Sequence, residues 1–259
     1  MTSAVSMTNI FKSYGEVKAL DDVSFDLGSN EVVGLLGDNG AGKSTLIKIL
    51  AGVTRADAGT MNINGQAIDP RGHTVARARR LGIETVFQDK SLGEKQPLWS
   101  NFFAGRHLTN RWGFIDVAAE MRVTREILGN ILGLQGSNLQ PETIAGTLSG
   151  GERQGVAIGR AMHFNSRIVV LDEPTTALSL REVDNVLAFV RRIKRDGKAC
   201  IYISHNISHV HAVVDRFVIV DKGRIALDIP KNGTSLEELI GIMVDIAGGG
   251  DQARAGTHP

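Results

Sequence analysis

Short apolar runs alternate with longer stretches of helical periodicity along most of this chain. Three runs, EVVGLLG (31–37), RIVVLDEP (167–174) and CIYISH (200–205), predict buried strands. KSTLIKILAG (43–52) and REVDNVLAFVRRIKRDG (181–197) repeat their apolar positions with helical spacing, and each ends at a glycine. This alternation predicts an α/β protein with a mostly parallel, buried sheet.

Two other regions have a different pattern. Residues 3–27 and 59–70 alternate apolar and polar side chains between glycines, which predicts an antiparallel β subdomain beside the parallel core. Residues of about 92–164 are mostly helical in pattern, and Asp116 is expected to open a helix there that ends at Gly133 and Gly136. We therefore expect one domain over 1–245 with an inserted helical subdomain, followed by a flexible tail over 246–259.

Composition narrows the function classes. The 259 residues include 29 basic and 28 acidic side chains, so a net charge of +1 gives no general reason to bind nucleic acid. The single cysteine, Cys200, excludes an internal disulfide. The N-terminus is too polar for a secretory signal, and no run of about 18 apolar residues predicts a membrane span. These features predict a soluble cytoplasmic protein.

GDNGAGKST, between the first strand and its helix, matches the pattern of a phosphate-binding loop. Its glycines let successive backbone N–H groups face an anion, and the following helix adds its positive end. The nine predicted nucleotide-binding residues are Gly37, Asp38, Asn39, Gly40, Ala41, Gly42, Lys43, Ser44 and Thr45. Lys43 is expected to reach the β- and γ-phosphates, and Ser44 to ligate Mg²⁺. The alternative is a glycine-rich turn with a chance lysine.

The loop alone indicates a nucleoside triphosphate and does not separate a kinase, a GTPase and an ATPase. No N-K-x-D guanine-reading tetrapeptide occurs, and no lid or acceptor pocket of a kinase is identifiable. RIVVLDEP then delivers Asp172 and Glu173 to the carboxyl edge of the sheet. Asp172 is expected to hold Mg²⁺, and Glu173 to orient or deprotonate the attacking water. The alternative is a strand that exits into solvent with two acidic residues.

LSGGERQGVAIGRA (148–161) resembles the signature sequence of ATP-binding-cassette (ABC) ATPases, and the resemblance covers residues of about 5–245. It implies a P-loop ABC ATPase fold that uses ATP and Mg²⁺. It also implies that two chains pair head to tail, so that each signature closes on the γ-phosphate bound by the other chain. The signature residues are Ser149, Gly150, Gly151 and Glu152. Alone, the same residues equally suit an ordinary helix N-cap.

The resemblance assigns roles to three further residues. Tyr14 looks like the aromatic residue that stacks on adenine, with a packed strand tyrosine as the alternative. Gln88 looks like the glutamine that contacts Mg²⁺ and the attacking water, with a surface glutamine as the alternative. His205 looks like the histidine that contacts the γ-phosphate and steadies Glu173. The expected catalytic residues are Lys43, Gln88, Glu173 and His205, whereas Tyr14 is expected to bind the nucleotide base.

The segment TTALSLREV (175–183), GDNGAGKS and GERQGVAIGRA resemble cassettes of importers of simple sugars, of the fructose and ribose type. Ser179 stands where the family often has aspartate. This resemblance implies a transmembrane permease, an indirect link to a substrate-binding protein, and a peripheral position on the cytoplasmic face of the inner (plasma) membrane. The alternatives are a soluble cassette ATPase acting on nucleic acid, the ribosome or an assembly machine, or transport of a non-sugar substrate in either direction.

Residues 99–114 hold both tryptophans and three of the nine phenylalanines. Since aromatic residues are enriched at interfaces, we expect Trp99, Phe102 or Phe103 to line a docking cleft for the permease. The alternative is that they form the core of the helical subdomain.

Overall fold

Two β-sheets organise this computed structural model, which describes residues 3–87, 92–130, 139–164, 166–176 and 178–248. The strands are β1 (Ser3–Tyr14), β2 (Val17–Gly28), β3 (Val32–Leu36), β4 (Ala58–Ile63), β5 (Gln66–Ile68), β6 (Ile83–Val86), β7 (Ile168–Asp172), β8 (Ala199–Ile203), β9 (Arg216–Asp221) and β10 (Arg224–Pro230). The helices are α1 (Lys43–Leu50), α2 (Val75–Arg80), α3 (Leu98–Phe102), α4 (Val117–Asn130), α5 (Gly150–His163), α6 (Leu180–Arg195), α7 (Ile207–Val213) and α8 (Leu236–Ala247), with a 3-10 turn at Ala145–Thr147.

The larger sheet has six strands in the order β10-β9-β3-β8-β7-β6. β3 pairs in parallel with both β8 and β9, and β8 pairs in parallel with β7. Every residue of β3, β7 and β8 is buried, which explains why these strands are nearly continuous apolar runs. The three predicted strands and the parallel core are confirmed. The carboxyl ends of these strands lie at one edge of the sheet.

The smaller sheet is antiparallel, with four strands in the order β2-β1-β4-β5. This confirms the β subdomain that alternation of apolar and polar residues predicts. In β1 and β2 the core-facing side chains include Val5, Met7, Ile10, Val23 and Phe25, all buried. Their spacing departs from strict alternation because the β1–β2 register shifts several times.

The chain divides into two compact units. The first comprises residues 1–85, 167–173 and 187–259, and the second comprises residues 86–166 and 174–186. The first unit contains the antiparallel sheet and nearly all of the six-stranded sheet. The second contains α3, α4, α5 and the start of α6. The helix predicted to open at Asp116 is present, because Asp116 Oδ1 accepts a hydrogen bond from the Ala119 N–H at 3.0 Å.

One predicted helix end lies outside the described residues, and the start of the predicted tail differs from the structure. The expected end of α4 at Gly133 and Gly136 lies outside the described residues. α8 continues to Ala247, so the first two residues of the segment predicted as a tail are helical. Ser235 begins this helix with a capping box, in which its hydroxyl and the Glu238 carboxylate bond each other's backbone N–H groups.

The aromatic segment of the second unit is divided between core and surface. Phe102 and Phe103 are completely buried, and Phe103 meets His163 and Phe164 edge to face at centroid distances of 5.9 Å. The expectation that these two phenylalanines line a docking cleft is therefore wrong, since they form the core of the unit. Trp112 and Phe114 are instead 71% and 72% exposed.

A hairpin carries the two exposed aromatic residues. The Asn110 N–H donates to the Phe114 carbonyl at 2.8 Å, and the Asp116 N–H donates to the Leu108 carbonyl at 2.8 Å. Thr109 and Ile115 form an isolated β-bridge between these two bonds. Since the hairpin fixes its own backbone, the side chains at its tip are displayed on an ordered support.

Candidate active site

The predicted phosphate loop connects the buried end of β3 to the first turn of α1. Gly37 and Gly42 have φ angles of 139° and 117°, in a region that favours glycine. A Cβ at Gly37 would collide with the Val220 carbonyl of β9, and one at Gly42 would lie 2.6 Å from the Ala19 carbonyl of β2. The loop is thus pressed between β9 and β2, and only glycine fits at these two positions.

Lys43 begins α1 with its ammonium inside the loop. The side chain is only 6% exposed, and Nζ donates to the carbonyls of Gly37 at 2.6 Å and Asp38 at 2.9 Å. Burial lowers the pKa of Lys43, while the nearby carboxylates of Glu173 and Asp172 act to raise it. The ammonium therefore lies where the loop curls around an anion.

The first turn of α1 has the features of an anion site. Gly42 gives it no side-chain cap, and no acidic residue lies in this turn. By contrast, α5 and α8 begin with capping boxes. Because the first amides of a helix have no partner within it, the N–H groups that begin α1 remain oriented towards the loop.

Asp172 ends β7, and Glu173 follows it on the same edge of the sheet. Both are buried, and burial, then the neighbouring Glu173, raises the pKa of Asp172. Glu173 has a φ of 51°, a left-handed conformation that is uncommon for glutamate, and its N–H donates to the Ile203 carbonyl at 3.0 Å. This local bend turns the chain out of the strand at the residue expected to activate water.

The end of β8 brings two further side chains to Glu173. His205 Nε2 lies 3.2 Å from Glu173 Oε1, and the Ser204 hydroxyl donates to Glu173 Oε2 at 3.4 Å. The structure therefore places His205 beside Glu173. Sequence reasoning missed Ser204. The signal was its place directly before His205 at the end of a predicted strand.

Tyr14 is the last residue of β1 in the antiparallel sheet of the first unit, at the turn between β1 and β2. Tyr14 is 49% exposed, so part of the residue is open to solvent. Tyr14 pairs with Val17, two residues before Ala19, the residue that approaches Gly42 of the loop. Since a strand advances about 3.4 Å per residue, Val17, the partner of Tyr14, lies roughly 7 Å along β2 from Ala19.

The signature residues begin α5 in the second unit. The Ser149 hydroxyl accepts a hydrogen bond from the Glu152 N–H at 3.2 Å, and the Ser149 N–H donates to Glu152 Oε2 at 2.9 Å. This capping box matches the alternative interpretation of the signature, an ordinary helix N-cap. It is the arrangement found within a single chain. Ser149 and Gly150 are exposed.

Ser179 and Glu182 form a similar arrangement at the start of α6. The Ser179 N–H and hydroxyl both donate to Glu182 Oε2 at 2.8 Å. The Glu182 carboxylate also packs against Gly151, whose N–H helps to lower the pKa of Glu182 after the bonds from Ser179. Ser179, which stands where the family often has aspartate, thus forms a cap at the start of α6.

The residues present suit a nucleotide with Mg²⁺. The Ser44 hydroxyl and the Asp172 carboxylate are hard oxygen donors of the kind Mg²⁺ prefers, and a cation beside Asp172 would offset the repulsion that raises its pKa. The third expected ligand, Gln88, lies outside the described residues. Within the part of the chain that the structure describes, no group of three or more His, Cys, Asp or Glu residues forms a separate metal site.

Known proteins resemble this chain in both sequence and fold. Residues 20–176 match the sequence profile of the ABC transporter family. A xylose/arabinose import ATP-binding protein of Sulfolobus acidocaldarius is 38% identical, over 95% of this chain and 96% of its own length. A ribose import ATP-binding protein of Burkholderia ambifaria is 39% identical over 94% of this chain, which spans only 47% of that relative.

A solved structure of a nucleotide-free ATP-binding cassette from an ABC transporter superposes with a TM-score of 0.77. It is 27% identical to this chain and covers 94% of it and 96% of its own length. The fold is therefore that of the ABC ATPases, with its antiparallel and helical additions to a P-loop core. This chain belongs to the ABC transporter family as an ATP-binding cassette, and such cassettes are ATPases.

Proposed function

We propose that this chain is the ATP-hydrolysing subunit of an ABC importer of simple sugars. The observation that carries the ATPase chemistry is the grouping of the phosphate loop, the buried Asp172–Glu173 pair and His205 in one compact unit. The relatives named for xylose/arabinose and ribose import support the sugar class. In this proposal hydrolysis of ATP powers uptake through a permease.

The loop residues 37–45 hold the triphosphate, and the Lys43 ammonium neutralises charge on its β- and γ-phosphates. Ser44, Asp172 and Gln88 hold Mg²⁺, which supplies neutralisation of the phosphate oxygens when bound. Glu173 accepts the proton of the attacking water. His205, 3.2 Å from Glu173, donates a hydrogen bond towards the γ-phosphate and keeps that carboxylate in place.

Dimerisation completes the site in this proposal. Ser149, Gly150, Gly151 and Glu152 of a second copy close on the γ-phosphate, so each dimer has two composite sites. The exposure of Ser149 and Gly150 supports this, because the start of α5 is accessible to another chain. An anion that reaches this helix must compete with the carboxylate caps already there.

The proposed partner at the membrane is a transmembrane permease, linked indirectly to a substrate-binding protein. No helix among the described residues has the length and apolar character needed to span a bilayer. A peripheral position on the cytoplasmic face of the inner membrane therefore depends on that partner. The exposed hairpin aromatic residues, Trp112 and Phe114, offer the permease a larger apolar surface than the buried Phe102 and Phe103.

The variant Glu173→Gln tests the catalytic assignment. We expect it to bind ATP, to lose nearly all hydrolysis, and to accumulate as an ATP-bound dimer in size-exclusion chromatography. Glu237→Gln, an exposed glutamate on α8, is the control and keeps wild-type turnover. Undiminished hydrolysis by Glu173→Gln would show that Glu173 is not the base. Co-purification with the permease and a sugar-binding screen of the associated receptor then test the substrate class.

A further inference from the structure

Asp57 contacts the end of β1 at three consecutive residues, two through its side chain and one through its backbone. Its Oδ1 lies 2.7 Å from Lys12 Nζ, and its Oδ2 accepts the Ser13 N–H at 2.7 Å. The Asp57 N–H also donates to the Phe11 carbonyl at 2.8 Å. Both carboxylate oxygens are therefore used, and the hydrogen bond from Lys12, then that from Ser13, lowers the pKa of Asp57.

Lys12 connects this contact to the ring of Tyr14. Its Nζ lies 5.4 Å from the centroid of the Tyr14 ring, within the range of a cation–π interaction. The Lys12 side chain is 15% exposed, so its position is fixed by packing as well as by charge. One cation thus contacts both the Asp57 carboxylate and the tyrosine that faces solvent.

The pairing of β1 with β2 is irregular just before Tyr14. The β1–β2 register shifts between Ile10 and Lys12 and again between Lys12 and Ser13. Such irregular pairing leaves the last residues of β1 with a poorer ladder than the rest of the strand. Asp57, which enters from the connection between α1 and β4, supplies bonds at the place where the ladder is irregular.

We propose that Lys12 and Asp57 are positioning residues that hold Tyr14 as a stacking platform for the adenine ring of ATP. The inference rests on the proposed function, in which the phosphates of the same nucleotide lie in the loop near Gly42. A ring that is already immobilised loses less conformational freedom when a base stacks on it. The contacts of Lys12 and Asp57, which we call the brace, therefore increase affinity for the base alone. Affinity for the phosphates does not depend on it.

The test compares binding of ATP with binding of inorganic tripolyphosphate, which has no base, by isothermal titration calorimetry. Tyr14→Ala is expected to weaken ATP binding by about 5- to 100-fold, the loss of one stacking contact. Asp57→Asn and Lys12→Met are expected to weaken it by about two- to fivefold, the size of an exposed cation–π contact. None of the three variants should change tripolyphosphate affinity.

Three controls make the outcome specific. Asp69→Asn breaks an exposed ion pair with Arg71 in the same unit and should leave both affinities unchanged. Lys12→Arg keeps a cation beside both partners and should restore ATP affinity. Since the brace acts through Tyr14, adding Asp57→Asn to Tyr14→Ala should cause no further loss.

The possible failures are distinguishable. If Tyr14→Ala leaves ATP affinity unchanged, the proposed role of Tyr14 is wrong, and the brace has no function in base binding. If Tyr14→Ala weakens ATP binding and Asp57→Asn does not, only the brace is disproved. Equal loss of ATP and tripolyphosphate affinity in Asp57→Asn would show a structural effect on the whole unit, which also overturns the proposal.

Discussion

At the scale of single residues, the carboxylate of Glu173 depends on contacts from distant parts of the chain. His205 and Ser204 contact it from β8, and the Ile203 carbonyl fixes its backbone in a left-handed conformation. A buried, bent glutamate next to the buried Asp172 is costly to a folded chain unless a function maintains it. This supports the assignment of Glu173 as the base more specifically than its place in a sequence motif.

His73 gives a pH-dependent prediction outside the candidate site. It is buried, its Nε2 lies 3.0 Å from the carbonyl of Leu50 at the end of α1, and burial lowers its pKa below the ordinary value of 6.5. His73 therefore binds a proton more weakly in the folded chain than in the unfolded chain. Consequently this residue contributes stability above pH 6.5 that is lost as the pH falls from there through the lowered pKa.

His73→Gln keeps a donor for the Leu50 carbonyl and removes the titration. We expect the free energy of unfolding of the wild type to fall more steeply between about pH 7 and pH 5 than that of the variant, with a difference in slope of at most about 1.4 kcal/mol per pH unit. Denaturant unfolding of both proteins across this range measures the difference. All other titrating groups, His163 included, are common to the two proteins. Parallel curves would contradict the prediction.

The sequence predicted the residues of the candidate site better than the residues that contact and position them. Residues 37–45 of the phosphate loop are consecutive, and so are Asp172 and Glu173, so a motif is enough to find each group. Ser204 is 31 residues away from its partner Glu173, and Asp57 is 45 residues away from its partner Lys12, so these contacts form only on folding. Local patterns carry no information about such pairings, and Gln88 remains a prediction from resemblance.

At the scale of secondary-structure elements, two helices begin with the same capping box but are expected to differ in function. Ser149 caps α5 through Glu152, and Ser235 caps α8 through Glu238. Ser149→Ala and Ser235→Ala should each lower the free energy of unfolding by about 1 kcal/mol, since each removes one N-cap. Thermal or denaturant unfolding measures this shared cost.

ATPase assays then separate the two helices. Ser149→Ala is expected to lower ATPase activity by about tenfold, because the hydroxyl that meets the second chain's γ-phosphate is lost as well. Ser235→Ala should retain wild-type turnover. If both variants lose activity equally, Ser149 acts only as a helix cap, and the composite-site role of the signature is not supported.

In the aromatic segment, residues 99–114, the sequence pattern did not distinguish buried from exposed aromatic residues. Phe102 and Phe103 end a five-residue helix, too short to show which face is apolar, and both are buried. Trp112 and Phe114 lie on a hairpin within a region whose pattern predicts helices. The strands of the sheet core were predictable because each is buried on both faces and its apolar run is continuous.

At the scale of the whole molecule, the candidate residues are divided between the two units. The phosphate loop, Asp172, Glu173, His205 and Tyr14 belong to the first, and the signature residues belong to the second. In the proposed dimer, each chain contributes one catalytic half and one signature half. A head-to-tail dimer implies that each site takes its two halves from different chains.

Mixing two inactive variants tests this division. Glu173→Gln has a defective catalytic half, and Ser149→Arg has a signature half blocked by a bulky side chain on an exposed position. In a mixed dimer, one site combines the intact catalytic half of the Ser149→Arg chain with the intact signature of the Glu173→Gln chain. Random pairing at equal concentrations should thus restore about a quarter of wild-type ATPase activity, since half of the dimers carry one intact site.

The control replaces Glu173→Gln with a chain that carries both substitutions. No site in that mixture has two intact halves, so activity should remain at background although the chains and their total concentration are matched. Recovery in the first mixture and none in the second would establish a site shared between chains. If Ser149→Arg alone hydrolyses ATP at the wild-type rate, or if the wild type does so at full speed as a strict monomer, catalysis is complete within one chain and the dimeric mechanism is wrong.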